Sequence, residues 1–333
     1  MVTIRDVAKH AGVSVGTVSR VVSKNLTVSS KMRAAVEAAI LELGYKPNLI
    51  ARSLRNAKSN IIALIVPDIA NPHFSQLALH IETVASRFGL MVVVANTHGD
   101  VEVERKQIAT LSTLTPTGFL IIPAGSNPTG NQTGNIRTVA VDRPYGDHPL
   151  VSADHYAGGR LAAAHLIGLG HRRIAYLSGP EELSVAHNRK EGFLSVFDEA
   201  RQNGKPDLSV PELIAGGFDY ALDAETLTKL LLKPICQRPT AIATSNDQQA
   251  IGLMRLARDH GVSVPRDLTV IGFDDVPLAS LTIPRLTTIA QPVQAIAERA
   301  VITLLDTEST NSSILQPVLK QRETSLTVSG WLV

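Results

Sequence analysis

Apolar positions in the first 45 residues recur with a helical period. Ile4, Val7, Ala8 and Ala11 are spaced i, i+3, i+4, i+7, and Thr3 with Asp6 forms a capping-box pattern just ahead of them. The helix this predicts ends near Gly12. Ser14 is placed to cap a second helix that has Val18, Val21 and Val22 on one side. A third is predicted from Ser29 or Ser30, with Met32, Val36, Ala39, Ile40 and Leu43 on one face and Gly44 where a left-handed C-cap is favoured. Three such helices make a miniature bundle. The following stretch, NLIARSLRN from Asn48 to Asn56, is too short to be stable alone and reads as a linker that is helical only when held.

From Asn60 the pattern changes to apolar runs separated by helical periods. IIALIV, LMVVVAN, GFLIIPA and IRTVAVD form one set; RIAYLSG, ELIAGG, TAIATSN and LTVIGFD form a second. Segments such as HFSQLALHIETVASRFG and GRLAAAHLIGLG lie between them, and RETSLTVSGWLV is expected to supply a last strand. Alternation of this kind predicts an α/β fold with parallel sheets covered on both faces. Two sets predict two lobes with a cleft between them. Ligands are then expected beyond the carboxyl ends of the strands. The stretch Gly125 to Asn135, rich in Gly, Asn and Thr, is expected to be an exposed loop without chemistry.

Charge sharpens the division. Over the whole chain 32 Lys and Arg face 30 Asp and Glu, but the first 58 residues hold ten basic and three acidic side chains, a net of +7, leaving the rest at −5. A basic head on a near-neutral body suggests a polyanionic partner for the head. The lone cysteine, Cys236, cannot form an internal disulfide, which fits a reducing compartment. The start MVTIRDVAKH carries charges where a signal peptide needs an apolar run, and no stretch approaches about 18 uninterrupted apolar residues. A cytoplasmic protein without a membrane partner is expected.

With Val18 at the centre of the inward face, Gly16 and Arg20 each lie about 160° away and face out together. A short helix, a tight turn and a second helix with a small, basic outer surface is a helix-turn-helix arrangement, able to enter a major groove. Arg20 has the fork that reads guanine O6 and N7, a contact worth ~1–3 kcal/mol of discrimination. Thr17, Ser19, Ser23 and Asn25 suit phosphates or sugars.

The runs TIRDVAKHAGVSVGTVSRVVSKN and VSSKMRAAVEAAILELGYKPNLIARSL resemble the headpiece of the LacI/GalR family of bacterial transcription regulators, and the resemblance continues to the C-terminus. It implies that Val15, Gly16 and Arg20 occupy base-reading positions. It also implies that Leu54 occupies the hinge-helix position where paired leucines wedge into the minor groove, with Ala51 in the hinge interface and Arg52 and Arg55 near the backbone or groove. Gly16 departs from relatives that carry a side chain there, which leaves Val15 against a thymine methyl, or nothing, to choose the base. The implied organisation is a headpiece at 1–46, a hinge at 47–58 and an effector-binding and dimerisation domain at 59–333. Its sublobes are expected at about 59–152 with 290–312, and about 153–289 with 313–333.

Polar or aromatic groups follow most of the strand-like runs: Asn71 and Phe74, Asp142 and Arg143, Phe218, Asn246, Asp274 and Gln291, with Arg189 at the start of a helix. Carboxylates and a guanidinium fork for adjacent hydroxyls, with a ring for the apolar face, are what a monosaccharide demands. The full set is similar to the pocket of ribose-type periplasmic binding proteins, which implies a pentose, ribose first. His73 stands where ribose binders often have an aromatic residue. No glycine-rich dinucleotide fingerprint, phosphate loop, or His or Cys/His metal spacing is present in the sequence, so neither catalysis nor a cofactor or metal is expected. The resemblance implies a homodimer on a pseudo-palindromic operator, released or retained by the sugar. No leucine-heptad tail follows the last strand, so no tetramer is expected. Two rivals remain at this point: a corepressor-type regulator of nucleoside or purine metabolism, and a sugar-binding transport component. The second sits poorly with the basic head.

Overall fold

The structure, a computed structural model, describes residues 2–22, 28–45, 59–125, 132–203 and 208–328. It divides into two compact units, 1–59 and 60–333.

In the first unit, α1 (Ile4–His10) begins with a reciprocal cap: the Thr3 amide donates to Asp6 Oδ2 at 2.8 Å and the Asp6 amide to Thr3 Oγ1 at 3.4 Å. Gly12, at φ +64°, makes the turn into α2 (Val15–Val22), whose first amides are met by Ser14: Thr17 N donates to Ser14 Oγ at 3.1 Å. Helix α3 (Ser30–Leu43) is capped by Ser29 and closes on a left-handed Gly44. Val7, Ala8, Val18, Val21, Val28, Val36 and Ala39 form the buried core, with Val13, Val15, Val22, Ile40 and Leu43 packed against it. Met32, expected on the inward face of α3, is 48 % exposed; it lies one turn before the residues that reach the core.

The second unit is built on two six-stranded sheets. The first, all parallel, runs β11-β5-β4-β3-β1-β2 from β1 (Ile61–Val66), β2 (Met91–Asn96), β3 (Gly118–Ile121), β4 (Thr138–Val141), β5 (Leu150–Ala153) and β11 (Ser313–Leu315). Helices α4 (Pro72–Arg87), α5 (Val101–Ser112) and α10 (Val293–Leu305) cover it. The second runs β12-β10-β9-β8-β6-β7 from β6 (Ile174–Leu177), β7 (Glu212–Ile214), β8 (Ala241–Thr244), β9 (Thr269–Asp274), β10 (Thr287–Ala290) and β12 (Val318–Lys320); β12 alone is antiparallel, paired with β10. Helices α6 (His155–Gly168), α7 (Ser184–Gln202), α8 (Ala224–Leu231) and α9 (Asp247–Asp259) cover it. The central strands are near-continuous apolar runs because both faces of each sheet are buried.

The chain passes between the sheets three times: after β5, after β10, and between β11 and β12. The third passage lies between Leu315 and Val318, beyond the expected boundary near 312, because Ser313–Leu315 still pairs with Val151–Ala153. The expected last strand also moves. The ladder ends at Lys320, and the described part of RETSLTVSGWLV is tied to the second sheet by single bonds, such as Val270 N to Thr324 O at 2.9 Å. Within 126–131 the expected loop lies outside the described residues.

Candidate functional site

On α2, Val18 is fully buried while Gly16 and Arg20 are exposed on the opposite side, with Thr17 and Ser19 half-covered. A Cβ built on Gly16 meets only Ser14 Oγ at 3.6 Å, so packing does not demand glycine here. Val15, expected to face bases, is half-buried against the head core. Its contact surface is therefore shared between that core and the outer face. Asn25, Ala51, Leu54 and Arg55 lie outside the described residues.

In the second unit the strand ends converge. Asn71 caps α4, accepting from His73 N at 3.0 Å; Asn246 caps α9, accepting from Gln249 N at 2.9 Å and donating to Phe218 O at 3.1 Å. Asp142 follows β4 and Asp274 ends β9, both with positive φ (65° and 114°), a conformation rare for residues other than Gly and Asn or Asp that concentrates at functional sites. Eight of the nine residues expected in the pocket, all but Gln291, line one cavity together with His73 and Val185. It is narrow and partly open to solvent. Gln291 sits beside it, donating to Asp274 Oδ1 at 2.8 Å, and faces an adjoining groove with Gln76, His80 and Glu298.

The charges are buried and paired within each lobe. Arg189, 4 % exposed, reaches Asp274 Oδ1 at 3.2 Å and stacks over Phe273 at 3.9 Å. Arg143 donates to Pro123 O at 3.1 Å and lies over Phe74, 5.9 Å from its centroid. Burial opposes ionisation of Asp142, but the hydrogen bond from His155 and the neighbouring Arg143 guanidinium outweigh it, and the carboxyl is held far below its usual range. Two guanidinium groups thus face two carboxylates, a balance that suits a neutral ligand. Phe74 and Phe218 supply ring surface. A Cβ on Gly179 would lie 2.2 Å from the Phe218 ring, so the ring's place depends on that glycine. His73 Nδ1 and Gln291 Oε1 are buried without a protein hydrogen-bond partner, leaving polar capacity for ligand hydroxyls.

Sequence reasoning missed three residues. His155, at the start of α6, lies between Asp142 and Arg189. Gln249 accepts from Ser245 N and donates to Ser178 O and Gly217 O, binding three strand-end loops together. Asp247, fully buried, accepts from Val276 N at 2.8 Å and Thr288 Oγ1 at 2.5 Å beside Asp274; burial and the carboxylates of Asp274 and Asp275 push its pKa well up. All three carried one weak signal, being polar in the first turn of a helix that follows a buried strand.

A helix-turn-helix unit joined to a two-lobed domain with a buried, charge-balanced polar cavity defines a ligand-responsive DNA-binding regulator. Residues 3–48 match the model of bacterial regulatory proteins of the lacI family, and residues 163–325 match the periplasmic binding protein-like domain. The ribose operon repressor of Halalkalibacterium halodurans is 39 % identical over 296 residues, covering 88 % of this chain and 86 % of that protein. The chain belongs to the lacI family of bacterial regulatory proteins. The lac repressor dimer bound to operator and the anti-inducer ONPF superposes with a TM-score of 0.86 at 30 % identity, covering 98 % of this chain and 99 % of that one. A lacI-family regulator from Enterococcus faecium with bound ribose gives a TM-score of 0.69 at 26 % identity, over 80 % and 99 % of the two chains.

Proposed function

We propose that the protein is a cytoplasmic, non-enzymatic transcriptional repressor, a homodimer whose two heads bind a pseudo-palindromic operator, and that a small neutral sugar held between the lobes sets its operator affinity. Val15, Gly16, Thr17, Ser19 and Arg20 are assigned to DNA, with Asn25, Ala51, Leu54 and Arg55. The nine pocket residues are assigned to the sugar, ribose first. Among the described residues no helix is long and apolar enough to cross a membrane.

The observation that carries this reading is the cavity: carboxylates and guanidinium groups from both lobes, each at most 5 % exposed, between two phenyl rings. Its carboxylates and guanidinium forks suit adjacent hydroxyls and its phenyl rings the apolar face of a monosaccharide. The ribose-bound relative and the ribose operon repressor relative point the same way. A ligand that contacts both lobes binds the closed form better than the open one, and that difference is what it can exert on the operator.

Melting of the full chain against pentoses, hexoses and nucleosides tests this. D-ribose at about 100 times its dissociation constant should add ~2.7 kcal/mol of stability and weaken operator binding in an anisotropy titration. No response to any sugar overturns the sugar reading. Tighter operator binding with a purine or nucleoside establishes a corepressor instead.

A further inference from the structure

His155 opens α6, directly after β5 hands the chain from the first sheet to the second lobe. Its ring is 5 % exposed and tilted against Phe273, with centroids 6.0 Å apart. Arg189 Nε donates to His155 Nδ1 at 3.2 Å. A guanidinium nitrogen has no acceptor capacity, so Nδ1 must be unprotonated and the ring proton resides on Nε2. Nε2 in turn lies 3.3 Å from Asp142 Oδ1, Asp142 O and Ser152 Oγ.

The imidazole therefore spans the two lobes, from α7 to the end of β4. Charged and titratable groups face it from each packed element: Asp142 and Arg143 after β4, Arg189 from α7 and Asp274 from β9, while His73 of α4 stands 4.0 Å from the same Asp142. Burial and then the Arg189 charge push the His155 pKa down, against the pull of the two carboxylates.

We propose that His155 is a positioning residue of the sugar site, whose neutral Nε2–H tautomer couples Asp142 of the first lobe to Arg189 of the second. This rests on the cavity being the sugar site. A proton added at Nδ1 removes the acceptor that Arg189 uses and sets two cations against each other, so acidification opens the pair of charged arms that grips the ligand. Asparagine can replace the contacts in part but cannot titrate.

Two measurements on the full-length chain test the coupling. Imidazole nitrogen shifts of the uniformly labelled protein, assigned by comparison with His155→Asn, should show His155 protonated on Nε2 and not on Nδ1 at about pH 7; a ring protonated on Nδ1 overturns the proposal. Calorimetric titration with D-ribose from about pH 8 to about pH 4.5 should show affinity level above about pH 6.5 and falling several-fold only below it in the unaltered protein. His155→Asn should bind more weakly, with a profile flat to within about two-fold. Retention of the full fall in that variant overturns the proposal. No binding of D-ribose at any pH overturns the sugar reading and the coupling to affinity with it, and the nitrogen shifts tell that failure apart from failure of the tautomer.

Discussion

Arg20 and Gly16 stand exposed on a helix whose other face fills the core of the head, whereas Arg189 and Asp274 are almost fully buried and touch each other. The exposed pair lies outside that core. The buried pair is part of the electrostatic balance of its unit, so each partner must be matched for the domain to fold as well as to bind. Recognition and stability are separable in the head and joined in the cavity.

Arg189→Ala should test the contrast most severely. It leaves Asp274 and His155 Nδ1 without their guanidinium and should cost ~3–5 kcal/mol of stability in the second unit by denaturant unfolding, with the response to ribose lost. An unfolding midpoint close to that of the unaltered protein would break the contrast.

Acid should act next, and mainly on the second unit. His171 is fully buried, with Thr240 Oγ1 2.9 Å from Nδ1 and Leu326 O 3.0 Å from Nε2, and burial pushes its pKa down to about 4. The unfolded chain takes up this proton near pH 6.5 and the folded chain only near 4. The stability held above 6.5 is therefore lost as pH falls through that window, by up to ~3 kcal/mol. Calorimetry from pH 7 to pH 4 should show the second unit's melting transition falling, and His171→Asn should flatten part of that slope. The head, with no buried histidine among its described residues, should change less.

Arg20→Ala should cost ~1–3 kcal/mol of operator binding while the unfolding curve of the head moves by no more than about 0.5 kcal/mol. Equal binding to operator and to scrambled DNA would locate the readout elsewhere. Gly16→Ala should have the smallest effect: a gain of ~0.5–1 kcal/mol in head stability from lower chain entropy, since the new Cβ meets only Ser14 Oγ. A fall in stability would mean that the backbone around Gly16 differs from a regular helix.

The head was legible because its signals are local. Thr3, Asp6, Ser14, Ser29 and Gly44 mark ends, and the valine period marks the inward face; Met32 failed because a period identifies a face, not how far along it the core extends. In the second unit the apolar runs identified β1 to β4 and β6 to β9, while β5 and β10 fall in short stretches mixed with Ser and Thr, and β11 and β12 are three-residue strands paired with neighbours distant in sequence. Strand ends singled out most of the residues that line the cavity. His155 carried only the weak signal of a polar residue opening a helix; its importance comes from the chain crossing between sheets there, and no local pattern marks a crossing.

That threefold passage has a consequence for how such a chain can be recombined. A single junction in the sequence separates head from body, so one splice can give an existing sugar sensor a different operator preference. The two halves of the sensor are interleaved, with α10 and β11 returning to the first sheet after the second is nearly complete. No single splice can exchange one wall of the sugar pocket for another. Operator choice can thus be inherited as a cassette, whereas sugar choice must change residue by residue.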